Sequence, residues 1–359
     1  MAPALLPPLC RDIGVDPQGL TETECAVPQS EAPMTSRPRL VAAVLAVAAR
    51  AAHAADIPFD AMIAEARKDC AKAAPAYPAS DQLHAPGGHC DARNAYYGTG
   101  EPVNDVKARA CAYAGKDYDV LSMLYANGRG VPRNIPVARK AVCDDESAAP
   151  AEISGRLQHL ARIEAGQEAP GSYDFCDDAT SGFTTGWCSK LGTELEQQKR
   201  DRALAALIAS WSPAQQAALA VLRSQMEAFV KARDGEIDLS GTARASMLLA
   251  AEDEVRQQFS ELLTRADAGR LHAVAPAQAK AVDDRLNAAW KRLRAVKEGE
   301  LGTVKQADIL ASQRAWLRYR DAWVAFGRQR YPDITPPTWV AALTEARARQ
   351  LAELAGDPM

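Results

Sequence analysis

Residues 312–326 read Ser-Gln-Arg-Ala-Trp-Leu-Arg-Tyr-Arg-Asp-Ala-Trp-Val-Ala-Phe. The aromatic residues Trp316, Tyr319, Trp323 and Phe326 follow one another at intervals of three, four and three positions. This spacing has the period of an α-helix and puts the four rings on one face. An aromatic face of this kind is more often core than ligand site. The stretch therefore predicts a long helix, from about residue 303 to about residue 330, packed against other helices.

The remainder of the C-terminal half has the same helical period. Ser212-Pro213, Pro276 and Thr335-Pro336 are helix starts, because Ser caps a first turn and Pro fits its first position. No segment alternates with period two, so almost no sheet is expected. The sequence predicts an all-α fold, a short helical-hairpin solenoid followed by an antiparallel helical bundle and stapled by disulfides. The Gly- and Cys-containing segment 166–189 is the expected boundary, which gives regions 55–168 and 169–359.

The charge composition excludes several classes of partner. The chain has 42 Lys and Arg against 46 Asp and Glu, a formal net charge of −4, so no strong basic field favours nucleic acid. Residues 171–359 are neutral, with 25 charges of each sign. The one apolar run, 40–49, is too short to span a bilayer, and no membrane span is predicted.

The N-terminal segment predicts export. From Met34 the sequence has the parts of a secretory signal, namely a positive region, an apolar run and a small-x-small cleavage triplet, at Arg37 and Arg39, Leu40–Ala49 and Ala52–Ala54. We interpret Met34 as the real start, 1–33 as not part of the real protein and 34–54 as a signal peptide. The product would begin near Ala55 and be periplasmic or secreted. The alternative is a disordered extension before an ordinary buried helix.

Two similar stretches lie in the N-terminal part, from Tyr96 to Cys111 and from Leu121 to Ala141. Each has an aromatic residue at the end of one helix, a Gly-rich turn and an Ala-containing helix that allows close approach. The pattern resembles Sel1-like repeats, helical hairpins that stack into short solenoids, and 55–168 is therefore predicted to be a Sel1-like region. The turn of the first stretch departs from the usual Gly-x-Gly-Val. An isolated hairpin with a Gly turn is the alternative.

The cysteines agree with export. Six remain after residue 54, all before residue 190, and an even number would pair in an oxidising compartment. Two of them flank a short Gly-containing loop, two lie near the ends of one predicted hairpin, and the last two follow by elimination. The predicted disulfides are Cys176–Cys188, Cys90–Cys111 and Cys70–Cys143.

Two segments of the C-terminal half resemble the LprI N-terminal domain of the lysozyme-inhibitor LprI family. Val282–Trp290 contains the family's Asp…Leu-Asn helix, and Ser312–Ala322 contains its Gln-Arg-x-Trp-x-x-Tyr-Arg-Asp helix. The resemblance covers roughly 275–330. The family often has a cysteine where Trp323 stands, so its disulfide at that point is expected to be absent. The residues that match the motif are Asp283, Leu286, Asn287, Gln313, Trp316, Tyr319, Arg320 and Asp321.

A segment further upstream also resembles this family. Residues 187–244 are predicted to be a degenerate first copy of the same module. Within the motif, we expect Arg320 to pair with Asp283 or Asp284 on the preceding helix. Gln313 and Asn287 would join the same two helices by hydrogen bonds. Arg314 and Arg318 fall on other faces of their helix, where ion pairs with Asp321 would be solvated and weak. They are the best candidates for partner contact, since arginine pairs bidentately with carboxylates.

The sequence contains no recognisable catalytic motif. A nucleophile elbow, a zinc-protease helix and a phosphate-binding loop are all missing. Glu236 and Asp238 lie in a predicted turn and are expected to be solvated or capping, not a glycosidase pair. His89-Cys90 could join a metal site, but a disulfide at Cys90 is favoured. No enzyme activity, cofactor or metal is therefore predicted.

Two functions are favoured, and both are protein binding. Resemblance to the family implies an envelope protein that binds and inhibits lysozyme. The Sel1-like part favours the alternative, a periplasmic adaptor or an immunity protein for a secreted toxin. The neutral charge of 171–359 counts against simple attraction to a basic lysozyme. An enzyme acting on the wall is a third reading, and the sequence leaves the partner's identity and the oligomeric state open.

Overall fold

The computed structural model describes residues 59–82, 87, 90–297 and 299–356. These residues form twelve α-helices and three short 3-10 turns, and no strand occurs among them. The predicted all-α class is confirmed. Residues 1–33, the predicted signal 34–54, His84 and His89 lie outside the described residues.

Six helices make up the N-terminal part: α1 (Phe59–Cys70), α2 (Ala92–Tyr97), α3 (Asp105–Gly115), α4 (Tyr118–Asn127), α5 (Ile135–Asp144) and α6 (Pro150–Glu164). Six more follow: α7 (Gly182–Ile208), α8 (Pro213–Arg233), α9 (Arg244–Asp267), α10 (Pro276–Ala295), α11 (Gln306–Arg330) and α12 (Pro336–Leu354). The predicted helix starts at 213, 276 and 336 are confirmed. At the first, Ser212 and Gln215 form a capping box.

The hairpins α2–α3 and α4–α5 have the same turn, offset by 30 residues from Asn104 to Asn134. The Asn104 amide donates to the carbonyl of Ala95, and the Asn134 amide donates in the same way to Tyr125. Each Asn side chain then caps the helix that follows. Each turn contains two left-handed glycines, Gly98 and Gly100 or Gly128 and Gly130. This geometry is compatible with stacked solenoid hairpins, and the Sel1-like assignment stays a prediction.

Among the described residues, three disulfides lie before residue 190 and have the connectivity expected from the sequence. Cys70–Cys143 joins the end of α1 to α5, and Cys90–Cys111 joins the segment before α2 to α3. Cys176–Cys188 joins a 3-10 turn to α7. The first core lies among these bridges and contains Met123, Leu124 and Tyr125 of α4.

The second core lies between α8, α9, α10, α11 and α12, and aromatic rings fill its centre. Trp323, which is fully buried, stacks on Trp339 of α12 and contacts Phe259 of α9. Tyr319 stacks on Phe229 of α8. A large ring therefore occupies the position where a family cysteine was expected, and it joins three helices by packing.

Helices α7–α9 and α10–α12 repeat one arrangement. In each triplet the first and third helices run parallel, as the ion pairs Arg200–Asp253 and Arg285–Glu345 and the packing of α7 on α9 and α10 on α12 indicate. The middle helices α8 and α11 pack together. Their buried residues share one spacing, Leu219, Leu222, Met226 and Phe229 in α8 against Trp316, Tyr319, Trp323 and Phe326 in α11. The predicted degenerate copy at 187–244 stays a prediction, which this arrangement supports.

Helix α7 contributes to both cores. Trp187 and Cys188 at its beginning pack on the first core, and Leu204 and Leu207 near its end pack on the second. The change of core thus occurs inside a 27-residue helix. The division expected at residue 169 stays a prediction. Within the described residues, no helix combines the length and apolarity that a bilayer span requires.

Candidate partner-binding site

Helix α11 has a buried face and an exposed face. Trp316, Tyr319, Trp323 and Phe326 are each at most 4 % exposed. Burial raises the pKa of the Tyr319 hydroxyl, which stays protonated at neutral pH. These four residues are core, as their spacing predicts.

The exposed face of α11 carries Arg314 and Arg318. They are one helical turn apart, so their Cβ atoms lie about 5–6 Å from each other. Neither guanidinium has a hydrogen bond or an ion pair within the part of the chain that the structure describes. The weak pairing expected with Asp321 does not occur there, since that carboxylate binds Arg320. Two adjacent arginines are therefore available to an external carboxylate.

Arg320 departs from its expected role. Its guanidinium binds Asp321 at 2.8 Å and lies 5.4 Å from the ring centre of Trp316. Asp284 instead pairs with Lys280 on its own helix. The expected ion pair with the preceding helix is therefore wrong, and the reason is topological, because α10 packs along α12 while α11 packs along α8.

The other two polar residues of the motif also have different partners. Asn287 is exposed and donates to Asp283 on its own helix, while Leu286 is buried in the core. Gln313 is buried and accepts a hydrogen bond from Arg347 of α12. The expected hydrogen bonding of Asn287 and Gln313 between α10 and α11 is therefore corrected. Only Gln313 joins two helices.

A buried polar cluster fixes α11 against α12. Arg347, 0 % exposed, donates to both carboxylate oxygens of Glu236, at 2.9 and 2.5 Å. The Ser312 hydroxyl also donates to Glu236 and accepts a hydrogen bond from Arg347 at 3.0 Å. Together with Gln313, these groups join the turn after α8 to α11 and α12. A charged pair with its hydrogen bonds satisfied can occupy such a site, and the geometry gives α11 one orientation.

Glu236 corrects another expectation. It is 6 % exposed and not solvated, because its 3-10 turn folds inward against α11. Burial alone would raise the pKa of this carboxyl, but the charge and hydrogen bonds of Arg347, with Ser312 and Arg233, lower it below its usual value. Asp238 does cap, since it accepts from the backbone amides of Ser240 and Thr303.

Arg347 is the residue that sequence reasoning missed. It follows Trp339 and Leu343 at four-residue intervals and precedes Leu351 by four, so it lies on the apolar period of α12. A lone arginine on such a face needs an acidic partner in the core. That signal was available in the sequence, although the identity of the partner, 111 positions away, was not.

The pocket nearest to the buried face of α11 is small. A cavity of about 130 Å³ opens between α9 and α12 above Phe229, Trp316 and Tyr319, which is small beside the roughly 300–1,000 Å³ of ordinary ligand pockets. Among the described residues, no group of His, Cys, Asp and Glu side chains could hold a metal ion.

Comparison with known families agrees with this part of the chain. The family model for lysozyme inhibitor LprI matches residues 264–351. The matched range contains α10, α11 and most of α12, so it includes Arg347 as well as the two motif segments. Searches of curated proteins and of solved structures each found no match.

The matched segment is strongly basic. Residues 264–351 contain 16 Lys and Arg against 9 Asp and Glu, whereas 171–263 contain 9 against 14. The neutrality of the C-terminal half therefore conceals two segments of opposite charge. A basic lysozyme would be repelled by the average field of the matched segment, so any such binding must come from local contacts.

Proposed function

We propose that this protein binds and inhibits a wall-cleaving lysozyme through the exposed face of α11, with Arg314 and Arg318 as the contact residues. The similarity of 264–351 to lysozyme inhibitor LprI is the observation that carries the proposal. A fixed helix supports it, with two arginines that have no ion pair among the described residues. Inhibition of this kind needs only a surface that closes a cleft.

The chemistry of the target explains how a basic segment would suit it. Glycosidases hold two carboxyl groups in their cleft, about 5–9 Å apart, whatever the charge of their outer surface. Two arginines one helical turn apart have a comparable spacing. Each guanidinium can donate two parallel hydrogen bonds to a carboxylate. The proposed contact is therefore arginine to cleft carboxylate, over a short range where the average repulsion matters less.

The same proposal places the protein outside the cytoplasm. Three disulfides support an oxidising compartment, since such bonds are rare in the cytosol. The proposed route is export by the signal at 34–54. Mass spectrometry of the periplasmic protein would then give an N-terminus near Ala55, and a chain that retains Met1 would contradict it.

The test compares two pairs of arginines. Arg314→Ala with Arg318→Ala should weaken lysozyme binding at least tenfold and leave the melting temperature nearly unchanged. Arg202→Ala with Arg294→Ala removes the same charge at exposed positions outside α11 and should leave binding unchanged. Binding is measured by calorimetry against a panel of lysozymes. Equal weakening by both pairs, or no binding by the unmodified protein, would refute the proposal.

A third variant separates core from contact. Trp316→Ala should lower the free energy of unfolding by about 3–5 kcal/mol, because the indole is buried. If the variant instead melts like the unmodified protein and loses only binding, the aromatic face is the interface. The assignment of Arg314 and Arg318 would then be wrong.

A second candidate function belongs to the N-terminal part. The identical turns of α2–α3 and α4–α5 favour a stacked scaffold, which in solenoid proteins serves to bind other proteins. We propose an adaptor or immunity role as the alternative. The Arg314→Ala, Arg318→Ala variant should then capture its partner from periplasmic extract as the unmodified protein does. If neither the variant nor the unmodified protein captures a partner, this role is contradicted.

A further inference from the structure

We infer that the groove between α7 and α9 binds a long-chain fatty acid, with the acyl chain along the groove and the carboxylate at Arg265 and Arg270. This site lies in the first helical triplet, and of its lining only Thr264, Arg265 and Arg270 fall within 264–351. It involves neither Arg314 nor Arg318. The inference is therefore independent of the proposed lysozyme binding.

The groove has the size and lining of a ligand site. Its volume is about 580 Å³, within the ordinary range for small-molecule pockets. Leu204 and Leu207 of α7 are only half-buried there, although both pack on the second core, and Leu263 of α9 forms part of the lining. Apolar surface that the fold leaves open in this way is available to an apolar occupant.

The lining offers few hydrogen-bonding groups to an occupant. Two hydroxyls face the groove, but Ser260 donates to the carbonyl of Arg256 and Thr264 to that of Ser260 within α9. An occupant that buried peptide groups against this lining would leave them unpaired at a cost of several kcal/mol each. A methylene chain has no such groups, and about 0.8 kcal/mol favours the burial of each one.

Charge at the mouth selects the head group. Arg265 and Arg270 are exposed and have no ion pair among the described residues, while Glu261 beside them accepts only a side-chain amide. The other two cations of the rim are already occupied, Lys199 by Glu196 and Arg200 by Asp253. The uncompensated charge is thus one positive unit. It complements a monoanion, and a carboxylate matches the planar fork of an arginine.

The contact between α10 and α12 in the second triplet corresponds to that between α7 and α9, but it is closed. There α10 buries Leu286, Ala289 and Leu293 and packs closely along α12. In the first triplet, α7 has Ala203, exposed, and the half-buried Leu204 and Leu207 at the comparable contact with α9. The two triplets share one arrangement, so the open groove is a property of the side chains on α7.

The test measures binding of oleate to the full protein below its micelle concentration, by calorimetry. One oleate should bind per chain, and neutral mono-oleoylglycerol should bind at least tenfold more weakly. Arg265→Gln with Arg270→Gln should weaken oleate at least tenfold and leave mono-oleoylglycerol unchanged. Arg314→Gln with Arg318→Gln, the matched control, should change neither.

A blocking variant tests the position of the chain. Ala203→Trp places an indole in the groove from an exposed position, so the fold should be retained, as its melting curve would show, while both lipids lose binding. Several results would overturn the inference: more than one oleate per chain, equal weakening by both arginine pairs, unchanged binding in Ala203→Trp, or tighter binding of oleoyl-lysophosphatidylglycerol than of oleate. The last of these would assign a phosphate head group.

Discussion

Glu236 and Arg347 form an ion pair that is almost completely removed from water. Loss of Arg347 would leave the buried Glu236 with only the more distant Arg233, at 3.6 Å, and breaking a buried pair costs about 3–5 kcal/mol. Arg347→Met should therefore lower the free energy of unfolding by about this amount in urea denaturation. Arg349→Met, two positions along the same helix and exposed, should change it by less than about 0.5 kcal/mol.

A double variant distinguishes charge from shape at this pair. Arg347→Met with Glu236→Gln removes both charges, so its cost should be smaller than the sum of the two single costs. Strictly additive costs would mean that the two groups are independent. In that case the hydrogen bonds between them would not fix α11.

Asp238 predicts a change of stability in acid. Hydrogen bonds from the Thr303 amide and from Ser240 lower the pKa of this carboxyl to about 2, below its usual 3.8. A depressed pKa in the folded state means that the contribution is present above about pH 4 and is lost as the pH falls towards 2. The stability of the unmodified protein and of Asp238→Asn should therefore converge over this interval in chemical denaturation. A constant difference would show that the carboxylate charge contributes nothing.

At the scale of the elements, the turn of the second N-terminal hairpin packs against α3 of the first. Gly130 has φ +66°, and an added Cβ would lie 2.9 Å from the Cβ of Asp105 on α3, whereas Gly100, at φ +76°, has open space. Alanine at either position costs about 1–2 kcal/mol for the left-handed backbone. Gly130→Ala should cost measurably more than Gly100→Ala in thermal unfolding, because α3 must also move. Equal costs would indicate that α3 gives way at this contact without a cost in stability.

The features that could be predicted at this scale are those set by residues close together in the sequence, and not those set by contacts between distant helices. The spacing of Trp316 to Phe326 is a property of one helix, so both the helix and its buried face could be predicted. The partner of Arg320 depended on which helix lies beside α11, and chain order suggested α10. In the structure α10 lies along α12, a pairing set by cores that form between distant segments. Glu236 was misassigned for the same reason, since only tertiary contacts bury its turn.

At the scale of the whole molecule, the bridges and the tryptophans are unequally distributed. All three disulfides lie before residue 190, while five of the six tryptophans follow it. Seven of the nine tyrosines lie in the first part. The tyrosine near-ultraviolet signal therefore reports mainly on the first core and the tryptophan fluorescence mainly on the second. A Trp187→Phe variant would separate the two signals most cleanly.

Reduction should act on the first core alone. A bridge that closes a loop of the present lengths, 12 to 73 residues, stabilises by about 3–4 kcal/mol. In urea with a reductant, the tyrosine near-ultraviolet signal should be lost at a much lower concentration than without it, and the tryptophan fluorescence transition should hardly move. If both transitions shift together, the two cores unfold as one unit.

Helix α7 also has a geometric consequence. Its 27 residues extend about 40 Å, and its two ends are embedded in different cores. A helix of this kind sets both the distance between the two halves of the protein and their relative orientation, and therefore also those of any ligands that the halves bind. One extra residue in its middle would lengthen it by only about 1.5 Å but would turn one half by about 100° relative to the other. The rotation that α7 imposes between the halves, far more than its length, therefore decides whether molecules bound to each half could contact one another.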